Sequence, residues 1–299
     1  MTSPSAVFRI HHTGPQMLYQ DLGRPGLASL GVSSSGSFDR LSAARANHAL
    51  GNHPSAPVIE ILSGGCELEA LSPTSLVITG TDASVAIQRS HGSVIDTATN
   101  TIMDVATGDR IFLDHSSYGM RAYLGIRGGF EVQPQLSSCS FDTLSQIGPP
   151  PLQPGDILHR GTAIAEEAWW PALRTLPVLW RRVPTEKLKV IPGPREEWFS
   201  PEALTLFYSQ AYTVSSESNR VGLRLHGENP LRRRRTSEMM SEGMVRGSIQ
   251  IPPNGQPVVF GPDYPVTGGY PVIAVLTSRA CDRSGQLCPG DVVQFVRTS

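Results

Sequence analysis

The chain has 299 residues, 39% of them hydrophobic and 17% charged, with a formal net charge of -1. So balanced a charge gives no basic field to concentrate nucleic acid or anionic membrane, and neither is expected as a partner. The length suffices for a sizeable core in one large or two ordinary domains, and two are expected.

The opening "MTSPSAVFRIHHTG" lacks the continuous apolar stretch of a secretory signal, and no run approaches the ~20 apolar residues of a spanning helix, so a cytoplasmic location is expected. Cys66, Cys139, Cys281 and Cys288 never fall in a C-x-x-C spacing and read as free, mostly buried thiols. His11 with His12, and His48 with His53, lack the i, i+4 spacing of a zinc-binding helix, and no metal is expected.

In chain order, "YQDLGRPGLASLGVSSSGSFD" (19 to 39) frames Asp21, Arg24 and the Ser33–Ser35 run with glycines before a helix. It suits either a carboxylate or phosphate site at a helix N-terminus or a long loop capped by its own serines. The helix follows in "SGSFDRLSAARANHALGN", with Ser37 or Asp39 to cap it, alanine-rich sequence inside and Gly51 at its stop. Strands are predicted at 57–62, 75–80, 109–114, 121–129, 187–193, 205–216 and 291–296, each short, β-branched or aromatic, and bounded by Gly, Pro, Asp or Ser. Their spacing points to barrels or sandwiches, not βαβ units.

"TGDRIFL", "PGDILHR" and "PGDVVQF" each place Gly-Asp before a strand, a turn in which the aspartate can bond backbone two residues on. Three copies favour more than one barrel. The Pro-, Arg- and Trp-rich segment 166–187 is the expected boundary, giving a domain at 1–185 and another at 186–299.

Later, "SSESNRVGLRLHG" sets Arg220 and Arg224 four apart, and "RGSIQIPPNGQPVVFGPDYPVTGGYP" sets Gln250, Asp263, Thr267 and Tyr270 around strand ends. Such a ring suits either a small anionic or amide-bearing ligand or a salt-bridge network. In "YPVTGGYPVIAVL", Gly268 and Gly269 permit unusual backbone angles and Pro271 lacks an N–H, so a tight turn precedes the strand at Val272. That turn is either a hairpin corner or a device that turns the backbone past a ligand, aiming Thr267 and Tyr270 into a cleft shared with Asp263.

Several signatures are missing. The only lysines, Lys187 and Lys189, do not follow glycine, so there is no G-x-x-x-x-G-K-[ST] phosphate loop. "GVSSSG" spaces its glycines too far apart for a G-x-S-x-G elbow, and no G-x-G-x-x-G follows a strand.

The order of "QDLGRPGLASLGVSSSGSFDRLSAARANHALGN", "IEILSGGCELEA", "YLGIRGGFEV", "IPGP", "SNRVGLRLHG", "GSIQIPPNGQPVVFGPDYPVTGGYP" and "PGDVVQF" resembles the biotin-dependent carboxyltransferase-like family across essentially the whole chain. That family includes allophanate hydrolase subunit 2, the KipA protein and the C-type subunit of the bacterial 5-oxoprolinase. The resemblance implies a mainly β fold of two cyclophilin-like β-barrel domains with few short helices. It implies an ATP-dependent 5-oxoprolinase complex in which a KipI-like protein is the B-type partner and a LamB/YcsF-type protein the A-type partner. That complex opens 5-oxoproline to glutamate, with this chain inactive alone. ATP would then be used by the complex without a phosphate loop in this chain. Two alternatives stay open: a KipA-like regulator that binds a KipI-like kinase inhibitor, and a carboxyltransferase-type subunit of a urea carboxylase or allophanate hydrolase system. Biotin belongs only to the last, and no A-M-K-M biotinylation motif is present. By position in the motifs, the resemblance implies catalytic roles for Asp21, Arg24, Tyr123, Asp263, Thr267 and Tyr270. It implies substrate-binding roles for Ser35, Asp39, Asn47, Glu60, Arg220, Arg224, Gln250 and Gln286. The sequence departs from the family at 136–158, at "VTGG", where two threonines are common, and at 279–291.

Overall fold

A computed structural model describes residues 5–166, 169, 173–235, 237 and 239–298. Five residues of the expected boundary segment, 167, 168 and 170–172, lie outside that description. The chain forms two compact units: one runs to Arg24 and adds Asp39–Phe141 and Gln146–Arg181, and the other comprises Pro25–Phe38, Asp142–Ser145 and Arg182 onward. Two segments from early in the chain thus belong to the second unit.

The first unit holds strands β1 (Ala6–His12), β2 (Gln16–Gln20), β3 (Val58–Leu62), β4 (Cys66–Ala70), β5 (Thr74–Thr79), β6 (Ser84–Gln88), β7 (Val94–Ala98), β8 (Ile102–Val105), β9 (Arg110–Leu113), β10 (Arg121–Ile126) and β11 (Ile157–His159). One sheet runs β11-β1-β4-β9-β6-β7 and the other β2-β3-β10-β5-β8. Phe8, Ile10, Leu68, Val85 and Ile111 from the first share one core with Met17, Ile59, Leu76, Ile78 and Leu124 from the second. In β5, alternation sends Leu76 and Ile78 into that core, while Val77 on the opposite face packs with Ala46 and Leu50 of helix α1 (Arg40–Ala49) and the residue after it. β10 is likewise covered on both faces, with Ala122, Leu124 and Ile126 in that core and Tyr123 packed against Ala43 of α1, so all its residues are buried, Arg121 included. Asp39 caps α1 by accepting from Ser42 N at 2.9 Å, and Gly51 takes the left-handed backbone (φ 61°) beyond its end.

The second unit adds β12 (Glu186–Pro192), α2 (Pro201–Ser209), β13 (Tyr212–Val214), β14 (Gly222–Gly227), β15 (Glu242–Gly243), β16 (Ser248–Gln250), β17 (Val258–Phe260), β18 (Thr267–Gly268), β19 (Val272–Leu276), α3 (Ser278–Ser284) and β20 (Val292–Arg297). Its barrel closes in the order β12-β19-β16-β17-β14-β13-β20, with β12 and β20 parallel. Leu188, Phe207, Leu225, Ile249, Ile273 and Phe295 fill it together with Phe38 from the early segment. Phe38 fits because Gly261 and Gly285 carry no side chain: a Cβ on either would lie within 2.9 Å of the ring. The mainly β fold expected from the sequence is present, closed as a barrel in this unit and laid out as two sheets in the first.

All three Gly-Asp turns form, and they share a bond different from the expected one. Asp109, Asp156 and Asp291 each accept, at 2.8 Å, from the N–H three residues earlier, at Ala106, Gln153 and Cys288. Gly108, Gly155 and Gly290 sit at φ 85–97°, which suits glycine at the third position of a turn.

The strand predicted over 205–216 is corrected: α2 occupies its first part and only Tyr212–Val214 is strand. Ser200 caps the helix, Pro201 begins it, and Ala203 and Phe207, four apart, form its buried face, so the helical period outweighs the β-forming aromatics. The predicted strand 121–129 ends at Ile126, because Gly128 and Gly129 turn at φ 93° and 68°. Among the described residues, no helix is long and apolar enough to cross a membrane.

Candidate functional site

The residues singled out in the sequence do not form one ring. Most of them fall into three hydrogen-bonded clusters or one open cavity. In the first unit, Asp21 accepts from Ser138 Oγ at 2.7 Å, Ser140 Oγ at 2.6 Å, Cys139 N at 2.6 Å and Gly23 N at 2.7 Å, and Arg24 donates to the carbonyl of Ser140. Together they bind the 138–140 turn. A carboxylate so fully supplied with donors is a fastener, and the structure gives the pair a scaffolding geometry.

The second cluster lies between α1 and β10, also within the first unit. Tyr123 is fully buried, donates to Glu60 Oε2 at 2.9 Å and accepts from Asp39 N at 2.7 Å. Glu60 faces Arg121 at 3.5 Å, and the Asp39 carboxylate accepts from Trp180 Nε1 at 2.7 Å. Burial, then the charges of Glu60 and Asp39, push the Tyr123 phenol well above its ordinary value. A phenol so enclosed stays protonated and joins helix to strand. Asn47 similarly ties α1 to the following loop, donating to the Ala56 carbonyl at 2.8 Å.

The third cluster belongs to the second unit. Asp263, fully buried, accepts from Arg220 Nε at 2.8 Å and Nη2 at 3.0 Å, Ser35 Oγ at 2.7 Å, and Thr143 N and Oγ1 at 2.9 and 2.8 Å. Ser33 donates to Asp142 Oδ2 at 2.6 Å. Where the sequence left room for a bound anion among these serines, the structure places the protein's own carboxylates. Asp142 and Thr143 escaped the sequence reading, although "FDTLS" carries the signal: Asp142 Oδ1 accepts from the backbone N–H of Leu144 and Ser145. Gln286 is completely buried beyond α3.

The open cavity, about 300 Å³, lies on the barrel. Asn219, Val221 and Arg224 bring polar and apolar groups from in and around β14, joined by Val258 and Phe260 of the neighbouring strand β17 and by Gln250 and Tyr270. The anticipated cleft therefore contains Tyr270, Gln250 and Arg224, but neither Asp263 nor Thr267, which is exposed on β18. Asn219 was missed, although "SNRVG" is a local turn signal: its Oδ1 accepts from Val221 N at 2.9 Å and Gly222 N at 3.2 Å. Chemically the cavity offers apolar walls, a cation at its rim, a phenol and two carboxamides. Those groups suit recognition of a small polar molecule better than covalent attack on one.

A family model described as carboxyltransferase domain, subdomain A and B, matches residues 30–297. The chain is 31% identical over 298 residues to the C-type subunit of 5-oxoprolinase from Escherichia coli (strain K12), covering 98% of this chain and 92% of that protein. It is 30% identical to urea amidolyase of Lachancea kluyveri, over 98% of this chain and 17% of that protein. The solved Kluyveromyces lactis urea carboxylase superposes with a TM-score of 0.87 at 28% identity, over all of this chain and 28% of its own. The match thus spans nearly the whole of the bacterial protein and only a fraction of the two fungal ones. With the model covering both units, the chain belongs to the family of the carboxyltransferase domain, subdomain A and B.

Proposed function

We propose that this chain is the C-type subunit of an ATP-dependent 5-oxoprolinase complex, and that its barrel cavity takes part in holding a small carboxylate-bearing amide. The supporting observation is the end-to-end match to the Escherichia coli 5-oxoprolinase component, 98% of this chain against 92% of the relative. Arg224 at the rim and Gln250 in the wall supply groups suited to a carboxylate and an amide. A KipI-like B-type partner and a LamB/YcsF-type A-type partner complete the assembly in this reading. In this reading ATP is consumed by the assembly and not through a phosphate loop of this chain, which carries none.

The test is reconstitution. ADP release that depends on 5-oxoproline is expected only when this chain is mixed with both partner proteins. Turnover by the chain alone, or none with both partners present, would overturn the reading. The family description and the likeness to urea amidolyase favour a second reading, carboxyl transfer from a biotin-bearing partner to a small amide. Urea-dependent turnover with a biotin carrier, in place of 5-oxoproline-dependent turnover, would select it.

A further inference from the structure

Gln250 ends β16, is 4% exposed and lines the barrel cavity. Its Nε2 donates to the Tyr270 carbonyl at 2.9 Å and to Met244 Sδ at 3.3 Å, so both amide hydrogens are placed. Turning the amide over would set Oε1 against the Tyr270 carbonyl oxygen, two acceptors face to face. Gly268 secures the same arrangement sterically: a Cβ there would lie 2.4 Å from Nε2 and 3.2 Å from Met244 Sδ. Neither Gly268 nor Gly269 has a positive φ, so the double glycine is not there for backbone angles, as the sequence suggested. Gly268 makes room for the amide, whereas a Cβ on Gly269 would meet nothing closer than 3.8 Å.

The lock leaves Oε1 as the only uncommitted atom of the carboxamide, and among the described residues nothing donates to it. The same cavity is lined by Asn219, whose Oδ1 is already taken by backbone N–H groups, and Arg224, whose contact with Glu217 is long (3.7 Å) and exposed. Apart from Oε1, the polar side-chain groups of the cavity are the Arg224 cation, the Asn219 amide N–H groups and the Tyr270 hydroxyl, which can donate or accept.

We propose that Gln250, locked by the Thr267–Pro271 turn, is the specificity-determining acceptor of this cavity, reading an N–H of a small amide whose anionic group faces Arg224. The identity of that amide rests on the 5-oxoprolinase reading, but the requirement for an N–H does not. A ligand of the same shape with oxygen in place of N–H sets a lone pair against Oε1, and a site built around one hydrogen bond rejects such an analogue strongly.

Calorimetric titration of the full chain with 5-oxoproline and with its lactone counterpart, 5-oxotetrahydrofuran-2-carboxylate, tests this directly. The lactam is expected to bind at least about 10-fold more tightly than the lactone. Gln250→Met, similar in length and without the acceptor, brings the ratio near unity. Gly268→Ala does the same by displacing only the tip of a flexible side chain, while Gly269→Ala keeps the wild-type ratio. Equal wild-type affinities, or a ratio that survives Gln250→Met, would overturn the inference. N-carbamoylglycine is titrated in parallel. If it binds with the same dependence on Gln250 and 5-oxoproline does not, the 5-oxoprolinase reading fails and the N–H reader stands. If neither shows binding that depends on Gln250, the reader fails, whatever reconstituted turnover shows.

Discussion

Arg220 grips Asp263 through two bonds, Nε to Oδ2 at 2.8 Å and Nη2 to Oδ1 at 3.0 Å, with both side chains at most 3% exposed. The remaining capacity of Asp263 is filled by Ser35 and Thr143, and Arg220 Nη2 also donates to the Gly36 carbonyl at 2.7 Å. This ion pair fastens the early segments 25–38 and 142–145 within the barrel unit. It stands outside the cavity and stabilises the fold from within.

Asp263→Asn is accordingly expected to act on stability. It leaves the Arg220 guanidinium buried without its counter-charge, a loss of roughly 3–5 kcal/mol. Urea unfolding reads that loss, and limited proteolysis should show earlier cleavage within 25–38. Arg220→Lys should also destabilise, because an ammonium cannot reproduce the two-pronged grip. A variant of unchanged stability would refute the fastening role.

Tyr270→Phe and Arg224→Gln should behave in the opposite way. Both side chains are exposed at the cavity, so each change should shift stability by less than about 0.5 kcal/mol. The turnover of the reconstituted assembly should fall about 10-fold or more, with Arg224→Gln appearing chiefly in KM if it holds a carboxylate of the bound substrate. Unaltered turnover in both would remove this cavity from the reaction.

The buried phenols set an alkaline limit. Burial raises Tyr19, Tyr123 and Tyr212 above the ordinary tyrosine range, and Tyr123 is raised further by Glu60 and Asp39. Above about pH 10 the unfolded chain releases these protons and the folded one keeps them, so the unfolded state binds fewer protons and stability falls as pH rises. Below that pH the contribution is complete. Urea midpoints at about pH 8 and about pH 11 should differ in this sense. Absorbance near 295 nm should show the three phenols ionising together with unfolding and not before it.

Thiol reactivity should be equally selective. Burial pushes Cys66 up to about 12 and, with Asp21 nearby, Cys139 up to about 11. Cys281 is buried and Cys288 half-buried. With an aromatic disulfide reagent near neutral pH, Cys288 should react first and the other three only on unfolding. Rapid reaction of all four would contradict the packing around Cys66 and Cys281.

Much of the local structure was legible in the sequence. The Asp39 cap, the alanine-rich run and Gly51 specify α1, because helix ends are satisfied by groups within a few residues. The three Gly-Asp turns are likewise local signals. In the first half of 205–216 the aromatic content suggests strand, but the Ser200–Pro201 cap and the four-residue spacing of Ala203 and Phe207 specify a helix.

The partition of the polar residues could not be read in this way. Asp21, Tyr123 and Asp263 look like candidate site residues in the sequence, yet the fold ties all three to the protein's own groups and leaves Gln250, Tyr270 and Arg224 around the cavity. Asp263 meets Ser35 across 228 residues and Thr143 across 120, and Asp21 meets Ser140 across 119. Caps, turns and alternation depend on neighbours along the chain, so the sequence by itself determined them. Which carboxylate is silenced by donors and which carboxamide is left with an open acceptor depends on partners that only chain closure brings within 3 Å, and that was decided by the tertiary structure alone.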